Sequence, residues 1–381
     1  MPKFKVFGGE TLSCLDNTNN VVIPTEMLLD LMYLYRFSGK DSYYNSVFKK
    51  DLTAFRNVNI IEEVFYFAKI MNLDITDERL KLLAKKDIVP KNNSEKIVLN
   101  LKKVFHEIIF NLDDFELIAN QILALANLLF NDVIKVKFRS EKKIEKNINN
   151  KKEVVNNYKY DLALTEMINK FKSMQASKQY EVTLLITNFF IDFYNTKIFE
   201  ENNNYDVNQY VSYLIYYILL FKYEFDVFNY KSFFSKIYEN MKTFQKVISQ
   251  SSFNWSSGYA NVSLTHSFII ERLLECYNNL ENEKQKYIYV IDNKFSKTND
   301  VEITISNFPG DTFTKADIQK IHPNVSAKTI ERTLVRLQEA GKIESLGTGR
   351  SAKWMKKFTL QSGFDYDVNS FFNEDDFLEK K

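Results

Sequence analysis

Residues 314–357 read TKADIQKIHPNVSAKTIERTLVRLQEAGKIESLGTGRSAKWMKK. The stretch opens with Thr314, and Asp317 follows at the spacing of a helix capping box. Pro323 disfavours the helical conformation of the residue before it, so a short first helix should end near residue 321. Local chemistry therefore predicts where this helix begins and where it ends.

A second, longer helix follows in the same stretch. Ser326 is a favourable N-cap residue, and Gly341 is typical of the left-handed position just beyond a helix C-terminus. Between them, Ile330, Leu334 and Leu337 recur at helical spacing. We therefore predict a helix with one buried face between residues 326 and 341.

Beyond this helix the pattern changes to short strands. Residues 342–346 predict one strand, residues 347–350 a tight tip, and the residues around Trp354 a second strand. Two short helices followed by a two-stranded wing are the parts of a winged helix, a variant of the helix-turn-helix. The sequence predicts a small α/β winged-helix domain over residues 312–357.

The predicted winged helix is strongly basic, although the whole chain carries a net charge of only +2. Residues 312–357 hold ten Lys and Arg against four Asp and Glu, an excess of six positive charges. The rest of the chain consequently carries about four negative charges more than positive ones. A basic module on an acidic body indicates a polyanionic partner.

The basic and polar residues outside the apolar face of the second helix are the candidates for contacting DNA. In a helix-turn-helix this helix enters the major groove, where arginine can donate two hydrogen bonds to guanine. Basic residues on the wing could neutralise phosphates or reach the minor groove. The predicted interface comprises Lys328, Thr329, Arg332, Thr333 and Arg336 on the helix, and Arg350 and Lys353 on the wing.

The remainder of the chain is predicted to be mainly α-helical. Only nine Gly and five Pro occur among 381 residues, which disfavours folds with many tight turns. Residues 139–159 contain almost no large apolar side chains and predict a flexible, solvated loop or a loose hairpin. We divide the chain into an N-terminal segment 1–56, a helical domain 57–281, a connector 282–311, the winged helix 312–357 and an acidic tail 358–381.

Cysteine usage and hydropathy indicate a cytoplasmic protein. Cys14 and Cys276 lie far apart and form no CxxC pair, which disfavours a disulfide framework or a zinc site. The first residues contain no apolar run typical of a signal peptide. The most apolar stretch, residues 211–221, is shorter than the ~20 residues of a membrane-spanning helix. We therefore expect no membrane partner.

Parts of the chain resemble the Fic family of adenylyl transferases. Residues 254–280 read NWSSGYANVSLTHSFIIERLLECYNNL, and Trp255, Phe268 and Tyr277 match a recurring piece of that family. The predicted wing reads GTGRSAKW, where many Fic proteins with a C-terminal winged helix have a GKGRSTKY-like wing. The resemblance covers about residues 57–357 and implies a Fic-like helical bundle in front of the winged helix.

The family's active loop reads HPFxxGNGR, and the corresponding position here reads KIFEENNNY, residues 197–205. The resemblance implies a remnant of the nucleotide-binding motif at Lys197, Phe199, Glu201 and Asn203. Of these, Glu201 stands where the family has its acidic metal ligand. The catalytic His, the two glycines and the phosphate-binding Arg are replaced by Lys197, Asn202, Asn204 and Tyr205, respectively.

These replacements predict the loss of nucleotidyl transfer. An exposed lysine is almost fully protonated near neutral pH, so it cannot take the proton that the family's His accepts from a hydroxyl. The glycines let backbone N–H groups wrap a pyrophosphate at a helix N-terminus, and the Arg clamps phosphate through two hydrogen bonds. We expect no catalytic residue, no metal site and no resident cofactor, with ATP and Mg²⁺ needed only if activity remains.

Many Fic proteins also carry an inhibitory helix with an [S/T]xxxE[G/N] motif. The segment RNVNIIEEV places Glu62 and Glu63 at about that position, but the Ser or Thr and the Gly are missing. Because the loop Arg that such a glutamate would pair with is also missing, the resemblance implies no target for inhibition.

The sequence as a whole predicts a catalytically inactive Fic-like protein that acts as a DNA-binding transcriptional regulator. Its expected partner is double-stranded DNA, with a homodimer or a protein partner left open. One alternative is a residual nucleotidyl transferase that modifies a protein hydroxyl and uses Glu201 for a metal. Another is a protein–protein adaptor. The three histidines, His106, His266 and His322, are scattered and indicate no further catalytic motif.

Overall fold

Two compact units make up the chain, Met1–Leu280 and Glu281–Lys381. The structure is a computed structural model that describes residues 3–5, 11–13, 15–146, 152–294, 297–306, 308–347 and 352–357. The predicted interface residue Arg350 and the acidic tail 358–381 lie outside the described residues.

Helices dominate the first unit, as predicted. They are α1 Thr25–Ser38, α2 Asp41–Val47, α3 Leu52–Ile70, α4 Asp77–Lys85, α5 Asn93–Phe110, α6 Ala119–Leu129, α7 Tyr160–Ser177, α8 Val182–Thr196, α9 Val207–Tyr223, α10 Phe233–Glu239 and α11 Met241–Ser251. Helix α12, Ser263–Lys294, also begins in this unit. Short 3-10 turns lie at Asp16–Asn20, Leu112–Asp114, Asp226–Asn229 and Trp255–Ser257.

Helices α8 and α9 form the centre of the first unit. Most of their residues are buried, because both helices carry apolar side chains around their circumference with a few hydrogen-bonded polar ones among them. Phe190 stacks on Tyr216 with ring centroids 4.4 Å apart, and Tyr194 stacks on Tyr213 at 6.4 Å. As the residue number rises in α8 it falls in α9, so the two helices run antiparallel. The loop that joins them lies at one end of this central pair.

Two hairpins accompany these helices. In the first, β1 (Lys3–Lys5) pairs with β2 (Thr11–Ser13). In the second, β3 (Ser140–Lys146) pairs antiparallel with β4 (Lys152–Lys159). The alternatives for residues 139–159 were a flexible loop and a loose hairpin, and the structure forms the paired hairpin. Strands β3 and β4 are held together by backbone hydrogen bonds, since this segment has few apolar side chains to bury.

The predicted boundary between residues 56 and 57 falls inside α3. Phe55 lies on one side of that boundary and Ile60 on the other, and both side chains are buried on this one helix. The boundary was placed where the resemblance to the Fic family begins, and residues 56–59 continue the helix through it. They include Asn59, which is buried and donates a hydrogen bond to the Phe228 carbonyl at 2.6 Å.

The second unit has the element order of a winged helix. Its elements are α13 Lys297–Ser306, β5 Thr312–Thr314, α14 Lys315–Ile321, α15 Ala327–Glu339, β6 Ile343–Ser345 and β7 Lys353–Lys356. The three strands form one antiparallel sheet in the order β5-β7-β6. The structure thus confirms the small α/β domain.

One apolar cluster holds this unit together. Its buried members are Val301, Ile305, Phe313, Ile318, Val325, Ile330, Leu334, Leu337 and Ile343, with Phe308 and Trp354 packed against them. Val301 and Ile305 belong to α13, so the predicted connector 282–311 is wrong over its last part. Among the residues of α13 whose side chains are described, Val301 and Ile305 are fully buried, and their place in the core depends on residues from other elements of this unit.

The local helix signals of the second unit are confirmed. Thr314 and Asp317 form a reciprocal capping box at the start of α14. The Ser326 hydroxyl accepts from the Thr329 amide at 3.1 Å at the start of α15, and Gly341 beyond its end has a φ of 70°. The caps fix the ends of α15, and the burial of Ile330, Leu334 and Leu337 determines which of its residues face outward.

Candidate functional site

Helix α15 turns two cations outward near its N-terminus. Lys328 and Arg332 are one helical turn apart, and both are exposed. Within the part of the chain that the structure describes, neither has an ion pair or a hydrogen bond through its side chain. Together with Val335 and Arg336 they line a shallow depression of about 330 Å³. These two charges are available to an anionic partner.

Arg336 is exposed but already has an acidic partner. Its guanidinium forms an ion pair with Glu302 of α13, which also binds the Lys342 ammonium at 2.7 Å. Ion pairs at a protein surface stabilise by only about 0–1 kcal/mol, so a phosphate could take the place of the Glu302 carboxylate. Arg336 is therefore less available to a ligand than Lys328 and Arg332, because Glu302 already neutralises its charge.

Thr333 does not lie on the outer face, and its place in the predicted interface is wrong. Its side chain is only 1% exposed, and its hydroxyl donates to the Thr329 carbonyl at 3.0 Å. Position 333 follows Ile330 by three residues, a spacing that returns a helical side chain to the same buried face. Thr329 is half-buried, and its hydroxyl lies 2.8 Å from the Ser326 hydroxyl in the N-cap.

On the wing, Lys353 is the predicted cation that the structure places on the surface. It begins β7 and is exposed. The neighbouring Lys356 is occupied, since its ammonium donates to the carbonyls of Ser306 and Phe308 at 2.8 and 2.7 Å. Arg350, the other predicted wing residue, lies outside the described residues.

The second candidate region is the loop between α8 and α9, residues 197–206. Lys197 ends α8 in a left-handed conformation, with φ 49° and ψ 62°, and its side chain is exposed. Phe199 is fully buried and stacks on Phe138 with centroids 5.6 Å apart. Asn208 holds the Phe199 backbone through two hydrogen bonds, at 2.9 and 3.2 Å. Phe199 therefore anchors the loop.

The base of the β3–β4 hairpin is joined to this loop. The Arg139 amide donates to the Ile198 carbonyl at 2.8 Å, and the Glu200 amide donates to the Lys137 carbonyl at 3.0 Å. These bonds hold the backbone on both sides of Phe199 against the base of the hairpin.

Side-chain oxygens of this loop accept hydrogen bonds from backbone N–H groups in the loop and at the start of α9. The Asn202 carbonyl oxygen accepts from the amides of Asn204 and Tyr205 at 2.9 and 3.1 Å. The Asp206 carboxylate caps α9 by accepting from the Gln209 amide at 2.9 Å. A phosphate bound at a helix N-terminus would need such N–H groups for itself. The cap also places a negative charge where that phosphate would lie.

The four remnant positions do not form one cluster. Phe199 faces the core, whereas Lys197, Glu201 and Asn203 are exposed. Among the described residues, no group of three His, Cys, Asp or Glu side chains is arranged to hold a metal ion.

A cavity of about 450 Å³ lies beside the loop, and the sequence did not predict it. Residues of α8, α9 and α11 line it, including the stacked Tyr194 and Tyr213. The Gln209 amide donates to the Tyr213 hydroxyl at 2.8 Å. Burial raises the pKa of Tyr213, so this hydroxyl stays protonated. Because the lining residues come from α8, α9, α11 and the residues just after α11, no local motif could have revealed the cavity.

Glu63, near the position of the family's inhibitory glutamate, has a different task here. It is fully buried and caps α10, accepting from the Ser232 hydroxyl and from the amides of Phe233 and Phe234 at 2.8–3.0 Å. Burial raises its pKa to about 8. Both carboxylate oxygens are thus used inside the bundle.

The residues that carried the resemblance around Trp255 are structural. Trp255, Phe268 and Tyr277 are all buried. The Trp255 indole N–H donates to Asp192 at 2.9 Å, and the other oxygen of Asp192 accepts from the Leu15 amide at 2.7 Å. This piece of sequence therefore ties distant segments to α8.

Comparison with known proteins supports the same fold. Searches by sequence find no match among known protein families or among curated proteins. Solved structures that are similar include the crystal structure of a Fic family protein from Desulfovibrio desulfuricans G20. It is 13% identical in sequence, with a TM-score of 0.57, and the alignment covers 87% of this chain and 97% of that chain. The chain has a Fic-like fold.

A membrane-spanning helix was not expected. In the described part of the chain, no helix is long and apolar enough to cross a bilayer.

Proposed function

We propose that this chain is a DNA-binding regulator whose Fic-like body no longer transfers nucleotides. The observation that carries the proposal is the outward-facing pair of Lys328 and Arg332 near the start of α15. In a helix-turn-helix, the corresponding end of the second helix enters the major groove. The excess of six positive charges in residues 312–357 supplies the attraction for phosphate.

The loss of transfer is supported by the geometry of the α8–α9 loop. Asn202 and Asp206 occupy amides that a phosphate cradle would leave open, and Asp206 adds negative charge there. Lys197 offers an ammonium group, which can attract an anion but cannot act as a general base. The general base and the phosphate-binding loop are both replaced, so a substitution that restored one would leave the other missing.

The test of DNA binding is a duplex titration at several salt concentrations. We expect tight binding at low salt that weakens steeply with salt, with a log–log slope of about −0.9 per phosphate contacted. Arg332→Ala should cost on the order of 1–3 kcal/mol if Arg332 reads a base, and should relax preference at one position. Lys328→Ala should weaken all duplexes about equally and reduce the slope by about 1.

The matched control is Lys103→Ala, which removes an exposed cation from α5 in the first unit. It changes net charge by the same amount and should leave duplex affinity unchanged. Absence of binding at low salt, or full affinity in the Lys328→Ala/Arg332→Ala double variant, would refute the DNA proposal.

A protein-binding module is the second candidate, and a specific observation favours it. Val335 is 50% exposed, and it shares its depression with two acids and three cations, namely Glu331, Glu339, Lys328, Arg332 and Arg336. An exposed apolar residue among charges of both signs is typical of protein interfaces, which combine an apolar centre with a polar rim. Loss of a captured protein partner in Val335→Ser, together with unchanged duplex affinity, would identify this role.

A further inference from the structure

Helix α1 carries an apolar patch on its outer face. Met27, Leu31 and Leu34 turn into the bundle and are buried. Leu28, Leu29, Met32 and Tyr33 are exposed, by 50%, 50%, 63% and 55%. Single exposed apolar residues are ordinary, but four large ones within six consecutive positions form a contiguous patch of the kind that marks an interaction site.

Charged residues flank this patch in a symmetric order. Glu26 and Asp30 lie seven and three residues before Tyr33, and Arg36 and Lys40 lie three and seven residues after it. Glu26, Asp30 and Arg36 lie on α1, and Lys40 lies just beyond its last residue, Ser38, so the acids precede Tyr33 along the chain and the bases follow it. Among the described residues, Glu26, Asp30 and Arg36 have no ion pair, and the Lys40 ammonium lies 5.3 Å from the centre of the Phe37 ring.

We propose that this face of α1 packs against α1 of a second copy of the chain. The two helices would run antiparallel about a two-fold axis at Tyr33, where the surface must be self-complementary. Residues equally distant from the axis then meet, so Glu26 approaches Lys40 of the partner subunit and Asp30 approaches Arg36 of the partner subunit. The patch between them becomes buried.

The charge order distinguishes this arrangement from the others. A parallel pair of α1 helices would set acid against acid and base against base at every flanking position. An unrelated protein partner would need no symmetry within α1 at all. The order of charges around Tyr33 matches an antiparallel pair of identical helices. This proposal does not depend on DNA binding.

The first test is the mass of the intact chain by sedimentation across a concentration series. We expect a concentration-dependent dimer. The Met32→Glu variant should be monomeric, because dimerisation would bury the unpaired charge of the new glutamate in the interface. The matched control is Leu82→Glu, which changes a 38% exposed residue on α4 and should leave the dimer intact. A wild-type chain that is monomeric at every concentration would overturn the proposal.

The second test exploits the two-fold symmetry. Glu26→Lys and Lys40→Glu each set like charges together at both contacts, so each variant alone should dimerise about tenfold more weakly or worse. Mixing the two variants pairs opposite charges at both contacts and should restore a mixed dimer. Misfolding of either variant could not be rescued by mixing. Two variants that remain monomeric when mixed would overturn the antiparallel register.

Discussion

Three carboxyl groups in the first unit are held away from water. Burial raises the pKa of Asp41 to about 7, that of Glu63 to about 8 and that of Asp192 to about 6. In the unfolded chain such groups titrate near pH 4. Folding therefore takes up protons between about pH 4 and pH 8.

This uptake of protons predicts an unusual pH dependence of stability. A carboxyl group whose pKa rises on folding makes its full contribution to the stability of the folded state below its unfolded pKa. That contribution to stability is lost as pH rises through the folded pKa. We therefore expect the melting temperature to fall between pH 5 and pH 8.5, as measured by calorimetry.

In the Glu63→Gln variant the side chain cannot ionise, so the melting temperature should change less with pH in the upper part of this range. Glu166→Gln changes an exposed carboxyl on α7 and serves as the control. A melting temperature that rises steadily over this range would show that the hydrogen bonds to these carboxylates outweigh their burial.

The exposure of individual contact residues was predictable only where the spacing within one helix determines which side chains are buried. Lys328 and Arg332 face outward as the spacing of the apolar residues indicated, whereas Thr333 fell on the buried side because the apolar face was drawn too narrow. The partner of Arg336 is Glu302, 34 residues away, and no local pattern reports such a distant contact. The same limit hid the cavity beside the α8–α9 loop.

Among the elements, α15 depends on its N-cap. Ser326→Ala removes the hydroxyl that accepts from the Thr329 amide and should lower the free energy of unfolding of the second unit by about 1 kcal/mol. Urea unfolding would measure the loss. Ser306→Ala near the end of α13 removes a hydroxyl that donates to the Glu302 carbonyl of its own helix, and it should cost less. Equal costs for the two variants would contradict the role of the cap.

The bounds of α14 and α15 followed from the sequence because capping residues act locally. Helix α13 did not, since its place in the winged-helix core depends on Val301 and Ile305 meeting residues from the rest of that unit. The hairpin over residues 140–159 depends on backbone pairing, which leaves little trace in side-chain chemistry. Helix α13, which tertiary contacts define, is thus an element that sequence reasoning missed, whereas the hairpin was one of the two alternatives left open.

At the scale of the whole molecule, the fold is Fic-like, and we propose that its α8–α9 loop does not support nucleotide transfer. We expect no label transfer to the chain or to other proteins when it is incubated with labelled ATP and Mg²⁺ or Mn²⁺. Lys197→His alone should not restore transfer, because Asn202 and Asp206 would still occupy the amides of the loop.

The outcome that would contradict this expectation is label that survives purification and disappears in Glu201→Ala. Glu200→Ala removes the adjacent exposed carboxylate and is the matched control. Transfer lost in both variants would point to the charge of the loop and not to a metal ligand.

The chain contains two tryptophans, and they lie in different units. Trp255 is buried against Asp192 in the first unit, and Trp354 packs on the apolar cluster of the second. Each unit thus contains its own intrinsic fluorophore. Trp354→Phe leaves emission from the helical bundle alone, and Trp255→Phe leaves emission from the winged helix alone. Two denaturation curves from the intact chain would then show whether the bundle and the winged helix melt as one cooperative body or in succession.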